Sequence, residues 1–373
     1  MNGVSPLIRQ SLVTIFCLLL GYDAVTQITS ANKILSKQGL SKAQKQAIQD
    51  VLTRFPNESQ MSIAIIEGDQ SAFYGLKKQN DTLAIVDNAK SVFEIGSITK
   101  VFTTHLLINA INDGLIESID EPIETFCPYK IKGDPNITFK HLVNHTSGLP
   151  GNISASIFTT KPSNPYKNWD EEKLSKYLRQ EVAILSRPGE QYRYSNVGMA
   201  ILANMLGQFK QETYEDLLQK DIFLPLKMTS STTVRADVQG ELVQAYNWKG
   251  KKTDNWDLAS LVGTGGVLST ATDLSRYIQW SFGALANELA LMSQSTFKVD
   301  QVLEVALGWH LIKGYTKTPL LWHNGGTGGY KSSMALDIVS KSGVVILTNI
   351  GATNNPQKGL IDKLCYQLMA TTE

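Results

Sequence analysis

The chain has 373 residues, long enough for one large domain or two lobes with a sizeable core. Its composition, 42% hydrophobic and 18% charged, is that of an ordinary globular protein, with no low-complexity segment. The formal net charge of +1 excludes a global field that would favour nucleic acid or an anionic membrane surface.

The first thirty residues have the layout of an export signal. Arg9 precedes an apolar stretch over 12–20, and small residues follow at Gly21, Ala24, Ser30 and Ala31. That stretch falls well short of the roughly 18–20 residues needed to span a bilayer, so no transmembrane anchor is expected. Cys17 lacks the preceding small residues of a lipoprotein cleavage site. We therefore expect residues 1–31 to be a signal peptide, residues 32–373 to form a single domain, and the protein to be periplasmic or secreted. Without the signal, Cys127 and Cys365 remain, expected as two unpaired buried thiols; no cysteine pair has zinc-site spacing.

Residues 41–55 have helical periodicity, carried by Ala43, Ile48, Val51 and Leu52. The β-branched run at 61–67 predicts a strand, with a second near 72–76. A helix is expected from Ser97, with Val101, Leu106, Leu107, Ala110 and Ile111 on its apolar side and Asn112-Asp113-Gly114 at its end. Helical patterns then occupy 170–180, 196–208 and 212–221, separated by Gly-, Pro- and Asn-rich segments such as 147–168. Beyond 260 come a helix near 271–283, strand-like runs at 305–312, 319–322, 332–338 and 343–349, and a closing helix at 355–370. This order predicts an α/β lobe built from both chain ends, about 41–95 and 260–373. A mostly helical lobe, about 96–259, is inserted, and the site is expected in the cleft between them.

Ser97-Ile98-Thr99-Lys100 sets a serine and a lysine three residues apart, on one helix face at roughly 5–6 Å between Cβ atoms. An amine beside a hydroxyl is the minimum arrangement for an activated serine nucleophile. Ser295-Thr296-Phe297-Lys298 fits the same spacing, so the surroundings must decide. Tyr194-Ser195-Asn196 follows a Pro188-Gly189 turn and precedes a helical pattern. A lysine ammonium near Tyr194 would favour its phenolate and make it a base, and Asn196 offers a donor and an acceptor to a substrate amide. Tyr166-Lys167-Asn168 shares the pattern but lacks the preceding turn. The glycine-rich stretch from His323 to Tyr330 is expected to join two strands, where bare N–H groups can hold an oxyanion. It is not a phosphate loop, because Tyr330 separates Gly329 from Lys331 and no Gly-Lys-Ser/Thr is present. His141 and His145 are four apart, but no third ligand has sensible spacing, so no metal is expected. The plain reading there is a helix ending at Ser147-Gly148 and stopped by Pro150.

Ser97-x-x-Lys100, Tyr194-x-Asn196 and His323-x-Gly325, in that order and rough spacing, resemble the three motifs of the serine β-lactamase and penicillin-binding protein family. The similarity is to the branch holding class C β-lactamases, D-alanyl-D-alanine carboxypeptidases and related esterases. Accessory segments agree: 145–150, Pro188-Gly189 with Tyr192, 265–270 with Asp273, and Gly308-Trp309, so the resemblance covers about residues 60–370. It implies a β-lactamase/transpeptidase-like fold, an antiparallel sheet flanked by helices. It implies Ser97 as the acylated nucleophile and either Lys100 or Tyr194 as the base. Tyr194 would protonate the leaving group, and Asn196, His323, Gly325 and Gly326 would bind substrate. The N–H groups of Ser97 and Gly326 would form the oxyanion hole. Neither a metal nor an organic cofactor is implied.

The third motif departs from the class C form, which usually has lysine where this chain has His323. A histidine with an ordinary pKa near 6.5 is a cation only part of the time at neutral pH, which weakens its grip on a β-lactam carboxylate. The resemblance thus implies first a D,D-peptidase-like amidase on D-amino-acid cell-wall peptides. A β-lactamase, a carboxylesterase or D-alanyl esterase, and a penicillin-binding sensor without turnover are the alternatives. The expected partner is a small-molecule or peptide substrate, with no nucleic acid, and the expected working unit is a monomer.

Overall fold

The apolar run at 61–67 becomes strand β1 (Gln60–Glu67) in the computed structural model, which describes residues 40–371 apart from 134, 155, 161–162 and 284–287. The expected export segment therefore lies outside the described residues. Strands β2 (Gln70–Gln79) and β3 (Thr82–Ile85) follow, then the short β4 (Phe93–Glu94) and β5 (Leu268–Ser269). The last part of the chain supplies β6 (Phe297–Lys298), β7 (Leu303–Val305), β8 (His310–Ile312), β9 (Leu320–Gly326), β10 (Lys331–Asp337) and β11 (Ser342–Thr348). Nine of these form one sheet in the order β3-β2-β1-β11-β10-β9-β8-β7-β6, while β4 and β5 pair separately. Every pairing is antiparallel, and β1 joins the two chain ends through β11, with Ile63 opposite Ile346.

The central strands are buried along their length because both sheet faces are covered. Alternate side chains serve opposite faces, the period of two that a strand dictates. Ile63, Ile65, Val344 and Ile346 meet Ile48 and Leu52 of the Lys42–Leu52 helix and Leu364 and Leu368 of the Leu360–Met369 helix. Ala64, Ile66, Val345 and Leu347 face the other core, with Tyr277 and Ile278 of the Ala271–Gly283 helix. The Thr99–Asn112 helix is buried on every side from Thr99 to Ile108, its polar Thr99, Lys100, Thr103, Thr104 and His105 included. Among the described residues, no helix is long and apolar enough to cross a membrane.

Several expectations need correction. The run at 305–312 is a hairpin, not one strand, because the chain turns at Gly308 (φ +72°), where a Cβ would strike Thr104. The run at 319–322 extends to Gly326, so His323, Gly325 and Gly326 lie within β9 and only the following residues form the connection. The helix before His145 stops at Val143, with His145 itself in a left-handed conformation (φ +60°), so His141 and His145 share no helix face. The closing helix begins at Leu360, not 355. Phe297–Lys298 is a strand, so Ser295 and Lys298 do not have the helical spacing their sequence suggested. Cys127 and Cys365 are both free thiols, Cys365 buried and Cys127 half-buried.

Candidate active site

Ser97 sits in a single 3-10 turn, Gly96–Ile98, that leads directly into the Thr99–Asn112 helix. The turn is pressed against β9. Gly96 has φ +52°, and a Cβ there would lie 2.5 Å from the Gly326 nitrogen. A Cβ on Gly325 would lie 1.8 Å from the Ile95 carbonyl oxygen, which accepts a 2.7 Å hydrogen bond from Ser332 Oγ. The two glycines therefore serve a close approach of two backbones, the use to which glycine is suited. That approach brings the Ser97 turn beside the Gly326 N–H.

Lys100 points from the first helical turn back to Ser97, its Nζ 3.0 Å from Ser97 Oγ and 2.6 Å from the Thr264 carbonyl oxygen. It is 1% exposed, and burial holds its amine well below the usual lysine range. Tyr194 lies alongside, with Lys100 Nζ 4.9 Å from its ring centroid. Its hydroxyl hydrogen-bonds the Ser97 side chain, but burial outweighs that bond and raises the phenol above its usual range. The expectation of a lysine-stabilised phenolate is thus corrected: burial disfavours both charges, and Tyr194 is held as a neutral phenol.

Three imidazoles surround this pair. His145 is 4.4 Å from the Tyr194 ring, His310 stacks on it at 6.4 Å, and His323 lies 5.2 Å from His310. Burial pushes all three below the ordinary histidine value, His310 to about 4. His323 Nδ1 is 2.7 Å from the Asn324 carbonyl oxygen, which assigns the proton to Nδ1 and leaves Nε2 a buried acceptor with no partner. His323 is therefore neutral at physiological pH, and the expectation of a part-time cation for a substrate carboxylate is corrected by its burial. His310 Nε2 lies 2.8 Å from the Tyr192 hydroxyl.

The Asn196–Lys210 helix starts beside this cluster. Ser195 caps it, accepting from the Gly198 N–H at 3.0 Å and donating to the Pro150 carbonyl oxygen at 2.8 Å. Tyr194 and Asn196 flank that cap and are aimed by it. Asn196 Nδ2 donates to Asn152 Oδ1 at 2.7 Å, which also accepts from the Tyr166 hydroxyl at 2.9 Å.

A cavity of about 300 Å³ opens over Ser97. Asn196 and Gly326 line it, together with residues the motifs did not supply: Phe158, Tyr166, Trp256 and Lys358. Tyr166, set aside in the sequence for want of a turn, reaches the site from a loop; Ser295 and Lys298 do not line it. Thr264, whose carbonyl fixes the amine, also escaped the motif reading. Among the described residues, no group of three or more His, Cys, Asp or Glu side chains could hold a metal ion.

Comparison with known proteins places this geometry. The Beta-lactamase family model matches residues 48–363. Beta-lactamase-like protein 4 of Dictyostelium discoideum is 27% identical over 310 residues, covering 73% of this chain and 53% of that protein. The chain thus spans about half of that relative's length. D-alanyl-D-alanine-carboxypeptidase/endopeptidase AmpH of Escherichia coli K12 is 26% identical over 299 residues, covering 74% of this chain and 75% of AmpH. Among solved structures, a beta-lactamase/D-alanine carboxypeptidase from Pseudomonas syringae superposes with a TM-score of 0.74 at 20% identity, covering 89% of this chain and 98% of that one. An octameric penicillin-binding protein homologue from Pyrococcus abyssi gives 0.73 at 21% identity, with 89% and 76% covered. The fold is the β-lactamase/transpeptidase-like fold.

Proposed function

The chain belongs to the beta-lactamase family of serine hydrolases, and from that premise we propose that it is an exported hydrolase working through an acyl-enzyme on Ser97. One observation carries the reading: a buried lysine amine, its pKa held down by desolvation, 3.0 Å from the Ser97 hydroxyl. A neutral amine takes the Ser97 proton as Oγ attacks the substrate carbonyl carbon. Lys100 is then the base, and Tyr194, hydrogen-bonded to Ser97, relays that proton to the leaving nitrogen or oxygen as its bond to the acyl carbon breaks. The oxyanion sits between the N–H groups of Ser97 and Gly326. Asn196 orients the substrate amide. Water then releases the acyl group and restores Ser97.

The proposed substrate is a D-amino-acid peptide with a free carboxylate on its leaving half. His323 is neutral and so offers that carboxylate no charge, but exposed Lys358 lies on the cavity wall and does. The kinship with AmpH supports the same substrate class. Ester hydrolysis is the second reading, favoured by the uncharged third motif. Export rests on the signal layout of residues 1–31. The test is a parallel turnover assay with a D-Ala-D-Ala peptide, nitrocefin and a p-nitrophenyl ester, run beside mass analysis of the acylated protein. We expect peptide turnover and added mass on Ser97, both lost in Ser97→Ala; retained turnover in that variant rejects the mechanism.

A further inference from the structure

The carbonyl that holds the Lys100 amine stands at the end of a one-turn helix, Val262–Gly265. That turn closes with the Gly266 N–H on the Val262 carbonyl. The next two donors point elsewhere: the Val267 N–H donates to Thr99 Oγ1 at 3.1 Å, and the Leu268 N–H to the Thr232 carbonyl at 2.8 Å. The carbonyls of Gly263 and Thr264 are therefore the orphans that a helix end leaves. Side chains of the Thr99–Asn112 helix take both. Thr103 Oγ1 donates to Gly263 at 2.7 Å, and Lys100 Nζ to Thr264 at 2.6 Å.

Thr103 has one hydroxyl proton and three oxygen neighbours. The Gly263 carbonyl is nearer than that of Thr99, 2.7 Å against 3.2 Å, and takes the proton. Thr103 Oγ1 is then the acceptor for the Tyr214 hydroxyl, 2.7 Å away. Burial raises the Tyr214 phenol above its usual range, so it keeps the proton it donates. The bonds run one way, from Tyr214 to Thr103 to the Gly263 carbonyl. One peptide further on, the Thr264 carbonyl meets Lys100.

This stretch of backbone needs such support. Gly263-Thr264-Gly265-Gly266 has three glycines in four residues, and glycine backbone is the most easily rotated. Close packing calls for those glycines: a Cβ on Gly263 would lie 2.1 Å from Ala203 Cβ, and one on Gly266 2.6 Å from Val262 Cγ2. An amine that takes a proton must aim its lone pair at the hydroxyl and send an N–H elsewhere. The Thr264 oxygen receives that N–H, so its direction sets the aim of Lys100 at Ser97 Oγ, 3.0 Å away.

We propose that Thr103 and Tyr214 are positioning residues for Lys100: they lock the backbone at Gly263 and, through the Thr264 carbonyl, hold the amine on Ser97. Neither lines the cavity over Ser97, so neither meets substrate. The proposal rests on the reading of Lys100 as the base and deepens it.

The experiment measures the maximal rate of Ser97 acylation by a fluorophosphonate, and the probe concentration that gives half of it. The proteins are the wild type, Thr103→Val, Thr103→Ser, Tyr214→Phe and the Thr103→Val/Tyr214→Phe double variant. Valine keeps the shape of threonine without its hydroxyl. Thr103→Val slows maximal acylation about 10- to 100-fold, the scale of a catalytic group displaced by about 1 Å, and leaves the half-saturating concentration alone. Thr103→Ser, which keeps the hydroxyl, recovers most of the rate. Tyr214→Phe slows acylation about 3-fold, the worth of one hydrogen bond, and has no further effect once Thr103 is valine. A general structural defect lowers the fraction of protein that labels, not the rate of the fraction that does. The proposal is overturned if Thr103→Val acylates at the wild-type rate, if Thr103→Ser is as slow as Thr103→Val, or if Tyr214→Phe costs the same in both backgrounds. Should Thr103→Val not fold, Tyr214→Phe decides alone, and a wild-type rate there overturns the proposal. Lys100→Arg labelling near the wild-type rate overturns the base reading itself, separately from these arms.

Discussion

Two lysines of this protein are buried almost equally and live in opposite surroundings. Lys331 Nζ is 3.0 Å from Asp362, whose carboxylate also accepts from Asn324 Nδ2 at 2.9 Å. Lys100 instead meets neutral groups, the Ser97 hydroxyl, the Thr264 carbonyl and the Tyr194 ring. Burial pulls both amines down, but Asp362 pushes Lys331 back up and nothing does so for Lys100. Charge follows from the partner: one lysine is half of an ion pair that ties β10 to the closing helix, and the other is the proposed base.

The largest test of that contrast is Lys100→Arg. A guanidinium keeps its proton, so acylation of Ser97 should fall by about 100- to 10,000-fold, the usual worth of general-base catalysis. Near-normal labelling would show that Lys100 need only be a cation. The reciprocal change, Asp362→Ala, strands a buried ammonium and should cost about 3–5 kcal/mol, read as a fall in Tm. The pH profile of Ser97 acylation should not move with it; a shift there would join the two lysines into one system.

The histidine cluster sharpens the contrast through pH. His145, His310 and His323 have folded pKa values below their ordinary one, His310 at about 4. Their burial is fully tolerated above about pH 6.5, the unfolded value. As pH falls from there toward about 4, the unfolded chain binds protons first and stability declines. Denaturant midpoints measured from pH 7.5 to 4.5 should show this loss, and His310→Phe should reduce it. A profile that is flat until carboxylates titrate would contradict the burial argument. The smallest effect expected is that of Ser195→Ala, which removes the cap between Tyr194 and Asn196 and should cost about 1 kcal/mol. An unchanged midpoint would mean the helix start is held by its surroundings alone.

Much of this was legible in the sequence where the signal is local. The runs at 61–67 and 343–349 read as strands because β-branched residues at a sheet centre need no long-range context. The strands β4, β5 and β6, two residues each, carry no such signal. The motif serine, lysine, tyrosine and asparagine do converge, but their protonation was misread. Proximity of Lys100 to Tyr194 suggested a phenolate, and only depth of burial, which a sequence does not contain, reverses that. The β9 glycines were read as a loop because their demand is tertiary: Ile95 and Gly96 lie against them. Trp256, Glu94 and His310 reach the site through contacts spanning tens of residues, and Tyr166 does so from a motif match that the missing turn set aside.

The central claim is that Lys100 is uncharged in the resting protein and is the base for Ser97. It is tested most directly by the rate of Ser97 acylation by a fluorophosphonate, measured from pH 5 to 10. An amine held below the ordinary lysine range predicts a rate that levels off well before pH 10. A rate that climbs tenfold per unit toward pH 10, as an ordinary lysine with a pKa of about 10.4 would require, contradicts it.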